Sequence, residues 1–126
     1  MNVVDSSGWL EFFADGPNAR YFEAPIAETE QLIVPTISLL EVFKRVLQQR
    51  GENEALQAVA QMRQGRIVDL DATIALAAAQ LGLVEKLPLA DSVMLATASV
   101  HSAVLWTQDA DFERIEGVRY FRKKRS

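Results

Sequence analysis

Five carboxylates stand where folding could bring them together: Asp5, Glu41, Asp91, Asp109 and Asp111. Asp91 lies near the start of Leu87–Ala98, a stretch that is apolar almost throughout. Burying an ionised carboxylate there is costly unless something pairs with it. Asp5 closes the apolar run Val3-Val4, and Asp109 and Asp111 follow Val104–Thr107. Two unit charges ~4 Å apart repel by roughly 1 kcal/mol in water and about 4 kcal/mol at an effective dielectric of 20. Several such pairs are untenable in a domain whose net stability is on the order of 5–15 kcal/mol. If the acids converge, some take up protons or a cation sits among them. Oxygen-only ligands favour Mg²⁺, with Mn²⁺ as a substitute. Zinc is disfavoured, because there is no cysteine and His101 is the only histidine. His101 itself reads as a helix-end residue.

Each acid also has a plain structural role open to it. Asp5 can cap the helix that follows or form an Asx turn. Glu41 lies three residues after Ser38, a capping-box spacing, unless Thr36 caps instead and leaves Glu41 free. Asp91 suits the positive end of a helix dipole. Asp109 or Asp111 can cap a turn at Phe112.

The elements that must position these acids follow from the pattern. Val3-Val4, Leu32–Val34, Arg66–Leu70, Val104–Thr107 and Val118–Tyr120 read as short strands. Helices are expected from Gly8 to Phe13, from Pro17 through Tyr21 and Phe22, from Thr36 to Arg50, from Glu52 to Met62, from Asp71 to Gly82 and from Ala90 to His101. The spacing assigns to the interior Leu39, Leu40, Phe43, Val46 and Leu47 of the third helix. It also assigns Leu56, Val59, Ala60 and Met62, then Ile74, Leu76, Ala77, Ala78 and Leu81. Strands alternating with helices predict an α/β fold with a mainly parallel sheet covered on both faces. Ligands bind such sheets at the carboxyl ends of the strands, near the switch in strand order. Asp71 also follows a strand, and periodicity alone does not exclude it.

At 126 residues the chain is expected to form one domain, 1–126, with 122–126 a basic tail. A composition 49% hydrophobic and 24% charged excludes a disordered chain. A net charge of −4 gives no global attraction to nucleic acid, so any such site must be local. Lys44, Arg45, Arg50 and the run Arg122–Arg125 are the candidates, the run reading first as a solvated end. The N-terminus lacks the pattern of a signal peptide, and no charge-free apolar stretch approaches ~20 residues. A cytoplasmic protein is the expectation.

Four segments, in order, resemble the motifs of PIN-domain ribonucleases: Val3–Ser7, Pro35–Glu41, Leu89–Ser92 and Leu105–Phe112. The VapC-like toxins of type II toxin–antitoxin pairs are the nearest group. The resemblance spans nearly the whole chain. It implies an α/β/α sandwich with about five strands and a metal-dependent endoribonuclease. It implies that Asp5, Glu41, Asp91 and Asp109 form the catalytic pocket, with Asp5, Asp91, Asp109 and Asp111 as metal ligands. Ser6 and Thr107 would orient carboxylates or water. The strand before Asp71 would lie at the sheet edge. An RNA substrate, a cognate antitoxin and a homodimer are the implied partners. Dimerisation would run through Ala72–Ala79 and Ala90–Ala98, and Trp9, Phe12, Phe13, Phe43 and Leu47 could line an antitoxin groove as well as ordinary core.

A non-catalytic scaffold of the same fold is the principal alternative, and it has no need of all four acids. A receiver domain needs an acidic pair after its first strand and a lysine near its last. Here a single Asp5 ends the first strand, and Asp109 stands where the lysine would help. A haloacid-dehalogenase-like phosphatase needs an aspartate two residues after Asp5, where Ser7 stands.

Overall fold

The computed structural model describes residues 1–125. Five strands form one sheet: β1 (Asn2–Val4), β2 (Leu32–Pro35), β3 (Arg66–Val68), β4 (Val104–Thr107) and β5 (Arg119–Tyr120). Their order is β3-β2-β1-β4-β5 and every pairing is parallel. Six α-helices cover the sheet: α1 (Ser6–Phe13), α2 (Ala19–Ala27), α3 (Thr36–Arg50), α4 (Glu52–Met62), α5 (Ala72–Glu85) and α6 (Leu89–Val100).

Alternation along the strands divides the core. Val4, Leu32 and Val34 face α1 to α4, packing with Trp9, Phe22, Val42, Val46 and Met62. Val3, Ile33 and Leu105 face the other way, onto Met94, Ala98 and Phe112. Both faces are apolar, as a parallel sheet covered by helices requires. Strands β2 and β3 lie on one side of β1 and β4 and β5 on the other, so the order switches beside β1. The carboxyl ends of β1, β2 and β4 therefore open on one crevice.

The helices differ from the expected pattern in which residues they bury. On α3 the buried residues are Ser38, Val42 and Val46, and Leu40 is 60% exposed. On α4 they are Ala55, Ala58 and Met62, with Leu56 exposed. On α5 they are Ile74 and Ala78, with Leu76 exposed. Small side chains let paired helices approach, so several leucines are left outside. Helix α5 runs past Gly82 to a left-handed cap at Lys86 (φ 57°). Gly82 serves close packing instead: a Cβ there would sit 2.6 Å from Ser92 Oγ on α6. Pro17 precedes α2 rather than entering its first turn. Trp9 is fully buried and stacks on Phe13, so it lines no groove.

The basic tail is docked rather than free as far as Lys124, and Ser126 lies outside the described residues. Asn18 Nδ2 donates to the Arg122 carbonyl at 3.0 Å. Lys124 Nζ donates to the Tyr21 hydroxyl at 3.1 Å and lies 4.8 Å from that ring's centroid. Tyr21 stacks on Phe121 at 4.7 Å. Among the described residues no single helix is long and apolar enough to cross a membrane.

Candidate functional site

Asp5 follows β1 and precedes α1. It is 3% exposed, and its side chain does not cap α1. Instead Asp5 Oδ2 accepts from Ser7 Oγ at 2.8 Å and from Thr107 Oγ1 at 2.9 Å. Both hydroxyls spend their single proton on this oxygen, and each accepts a backbone N–H in return. Gln108 N–H reaches Ser7 Oγ at 3.2 Å, and Asp109 N–H reaches Thr107 Oγ1 at 2.9 Å. Burial pushes the Asp5 carboxyl up, and the neighbouring Asp109 pushes the same way. The Ser7 and Thr107 hydrogen bonds oppose them.

Glu41 lies one turn into α3. Pro35 holds the N-cap position and Thr36 is already helical, so neither Thr36 nor Ser38 caps this helix with its side chain. Ser38 is buried and donates to Met94 Sδ at 3.2 Å. Glu41 Oε1 accepts from Ser6 Oγ at 2.7 Å. The consecutive serines at the start of α1 thus hold different acids, Ser6 on Glu41 and Ser7 on Asp5.

Asp91 sits in the first turn of α6, and Asp109 and Asp111 flank Ala110 at the turn after β4. One carboxylate oxygen from each of the three lies within 4.8 Å of the others. Asp109 Oδ1 accepts from Asp111 N–H at 2.9 Å, which fixes the turn and the spacing of the two acids. Both acids of this turn lie in the cluster with Asp91. Asp91 is pushed up to about 8, first by burial, then by the charges of Asp109 and Asp5 and by a hydrogen bond with Asp111. Negative charge concentrated in this way favours either a proton or a cation among the acids.

This donor set fits a hard divalent cation, offering carboxylate oxygens from Asp91, Asp109 and Asp111 with Asp5 alongside. Asp71 stays apart. Its strand, β3, is at the sheet edge, and its side chain caps α5 by accepting from Ile74 N–H at 2.9 Å. His101 caps the end of α6, its Nδ1 3.0 Å from the Thr97 carbonyl.

Sequence reasoning missed Ser7 and Gln108. Ser7 was indistinguishable from a turn residue, although a hydroxyl two positions after a strand-end acid is a usable signal. Gln108 is buried; its Oε1 accepts from Asn18 Nδ2 at 3.0 Å and its Nε2 donates to Glu11 at 3.3 Å. Only strand order brings Asn18 and Glu11 beside it.

A PIN domain sequence profile matches residues 3–118. No curated protein sequence matches the chain significantly. Among solved structures, the toxin–antitoxin complex from Klebsiella pneumoniae is similar at a TM-score of 0.78 and 26% identity, with 94% of this chain and 95% of that chain covered. The sarcin–ricin loop cleaving toxin VapC20 of Mycobacterium tuberculosis is similar at 0.77 and 18% identity, covering 94% and 98%. DNA-bound VapBC from Salmonella typhimurium is similar at 0.73 and 19% identity, covering 95% and 96%. With a profile matching most of its length and this fold, the chain belongs to the PIN domain family, and its structural neighbours are VapC toxins of VapBC toxin–antitoxin complexes.

Proposed function

We propose that this protein is an Mg²⁺- or Mn²⁺-dependent endoribonuclease of the VapC-like toxin type, acting in the cytoplasm and neutralised by a cognate antitoxin. The observation that carries the reading is the convergence of Asp91, Asp109 and Asp111 within 4.8 Å beside the buried Asp5. A scaffold gains nothing from concentrated negative charge, whereas a metal-dependent hydrolase requires it.

A bound divalent cation would supply Lewis-acid polarisation of the phosphodiester and lower the pKa of the attacking water. The chain's own residues hold the rest in place. Thr107 and Ser7 hold the Asp5 carboxylate through Oδ2 and leave its Oδ1 without a side-chain donor. Ser6 holds Glu41 in the same way, and we assign Glu41 the role of accepting a proton from water. Asp109, braced by Asp111 N–H, offers a carboxylate oxygen to the cluster.

Self-association fits the apolar outer face of α5 and the start of α6. There Leu76, Leu83, Val84 and Leu89 are 70%, 83%, 75% and 85% exposed. An apolar patch of this kind on a surface marks an interaction site. We take it as the homodimer face and residues 1–126 as the unit that pairs.

The test is incubation with tRNA, rRNA, mRNA and a single-stranded DNA control, in Mg²⁺ or Mn²⁺ and again in chelator. RNA cut only when metal is present supports the proposal. RNA left intact in every metal condition overturns it.

A further inference from the structure

A groove of about 760 Å³ lies between α1 and the α3–α4 pair, next to the acidic pocket. Ser7 and Gln108 line its near end, and both are tied to the pocket: Ser7 Oγ donates to Asp5, and Gln108 precedes Asp109. Its far wall carries Asn53, Gln57 and Gln61 at successive turns of α4, with Gln49 of α3 beside them. All four are exposed. Successive turns place such groups about 6 Å apart along a helix.

The groove's charge is positive once its internal pairs are removed. Glu54 is paired with Arg50 at 3.3 Å. Glu11 keeps its charge, and both its oxygens are turned to neutral donors, Asn18 N–H at 2.7 Å and Gln108 Nε2 at 3.3 Å. Arg45 and Lys123, both exposed, then outweigh Glu11, on a chain whose net charge is −4. Lys123 is brought there by the docked tail, whose Arg122 carbonyl is held by Asn18.

Carboxamides carry donors and acceptors without charge and pair with base edges, as Asn and Gln do with adenine. Single-stranded RNA is recognised through such edges, with cations on its phosphates. Resting on the nuclease reading above, we infer that this groove holds the single-stranded RNA flanking the scissile phosphate. Arg45 and Lys123 contact its phosphates, and Gln49, Asn53, Gln57 and Gln61 read its bases. The groove then determines which RNA sequence is presented to the acidic pocket.

The experiment compares the parent with Arg45→Ala/Lys123→Ala and with Gln57→Ala/Gln61→Ala. Binding of a short fluorescent single-stranded RNA of mixed sequence is followed against salt, with Asp91→Asn added to each protein to prevent cutting. Cut positions on the RNA panel are mapped in Mn²⁺ without Asp91→Asn. Thermal melts check that each variant folds. Loss of two phosphate contacts should flatten the log–log salt slope by about 1.4. The glutamine pair should change which positions are cut while leaving Mn²⁺ affinity unchanged. If the parent cuts RNA and either change fails to appear, the inference is overturned, including the case in which the variants lose only binding to an antitoxin. A parent that neither binds nor cuts RNA overturns the nuclease reading itself, and this inference with it.

Discussion

Thr107 holds Asp5. Its hydroxyl donates to Asp5 Oδ2 at 2.9 Å and accepts Asp109 N–H at the same distance. One side chain at the end of β4 thereby sets the carboxylate after β1 and anchors the turn that carries Asp109 and Asp111. The link is buried, since Thr107 is inaccessible to solvent.

Thr107→Val keeps the shape and removes the hydroxyl. The Asp5 carboxylate loses one of two side-chain donors, and Asp109 N–H loses its acceptor. Leaving such groups unpaired costs about 1–3 kcal/mol. Urea denaturation of the metal-free protein should show a loss in that range. Mn²⁺ affinity should fall as well, because the acids are no longer held in register. Parent-like stability and affinity would mean that the hydroxyl is incidental.

Asp91 makes stability depend on pH. Its carboxyl rises from 3.8 to about 8 on folding. A folded-state pKa raised in this way means that the folded protein binds the proton more tightly, so its contribution is fully present below pH 3.8 and is lost as pH rises through about 8. Metal-free Asp91→Asn carries no charge to bury. Its advantage over the parent should therefore grow from about pH 4 to about pH 8 and level off above. The group is half exposed and screened by solvent, so the expected gain is roughly 1 kcal/mol, or about 3–6 °C in a domain of this size. A thermal melt in chelator at pH 8 with Asp91→Asn below the parent contradicts the charge-cluster account.

Divalent metal should reverse that dependence. Bound at Asp91, Asp109 and Asp111, it stabilises only the folded state, by about 2.7 kcal/mol when free metal is 100 times Kd. The rise in Tm with Mn²⁺ should be larger at pH 8 than at pH 6, because the metal displaces the proton held by Asp91. Chelator should abolish the rise, and Asp109→Asn should reduce it. An equal rise at both pH values would place the metal elsewhere.

Much of this architecture is legible from residue order. Val3 and Val4, or Ile33 and Val34, are apolar on both faces, so a buried parallel sheet follows directly, and the acids at strand ends follow from it. The helix faces were less legible. Leu40, Leu56 and Leu76 have the hydropathy of core, yet Ser38, Ala55 and Ala78 are inside. The deciding factor is tertiary: helices packed as closely as α5 on α6 at Gly82 bury small residues and turn large ones outward. Within the site, Asp91 was legible from its apolar surroundings. The exclusion of Asp71 depended on strand order, which no local pattern carries. Ser6 and Ser7 look alike in sequence, and only the third dimension assigns one to Glu41 and the other to Asp5.

The exposed leucines supply another prediction. Leu83 and Leu89 are more than four-fifths exposed, so a charge at either has little to disturb within one copy. The parent should sediment as a dimer, and Leu83→Glu/Leu89→Glu as a folded monomer. A parent that is monomeric at micromolar concentration would contradict the assignment of this face.

The central claim is that the acidic cluster performs metal-dependent RNA hydrolysis. The most direct measurement is the single-turnover cleavage rate of RNA in Mn²⁺ for the parent and for Asp91→Asn, with folding checked by circular dichroism. Removing one charged group from preorganised electrostatic machinery costs on the order of 10²–10³ in rate. A loss of at least that size in a folded variant is the predicted result. Equal rates in the two proteins would contradict the account.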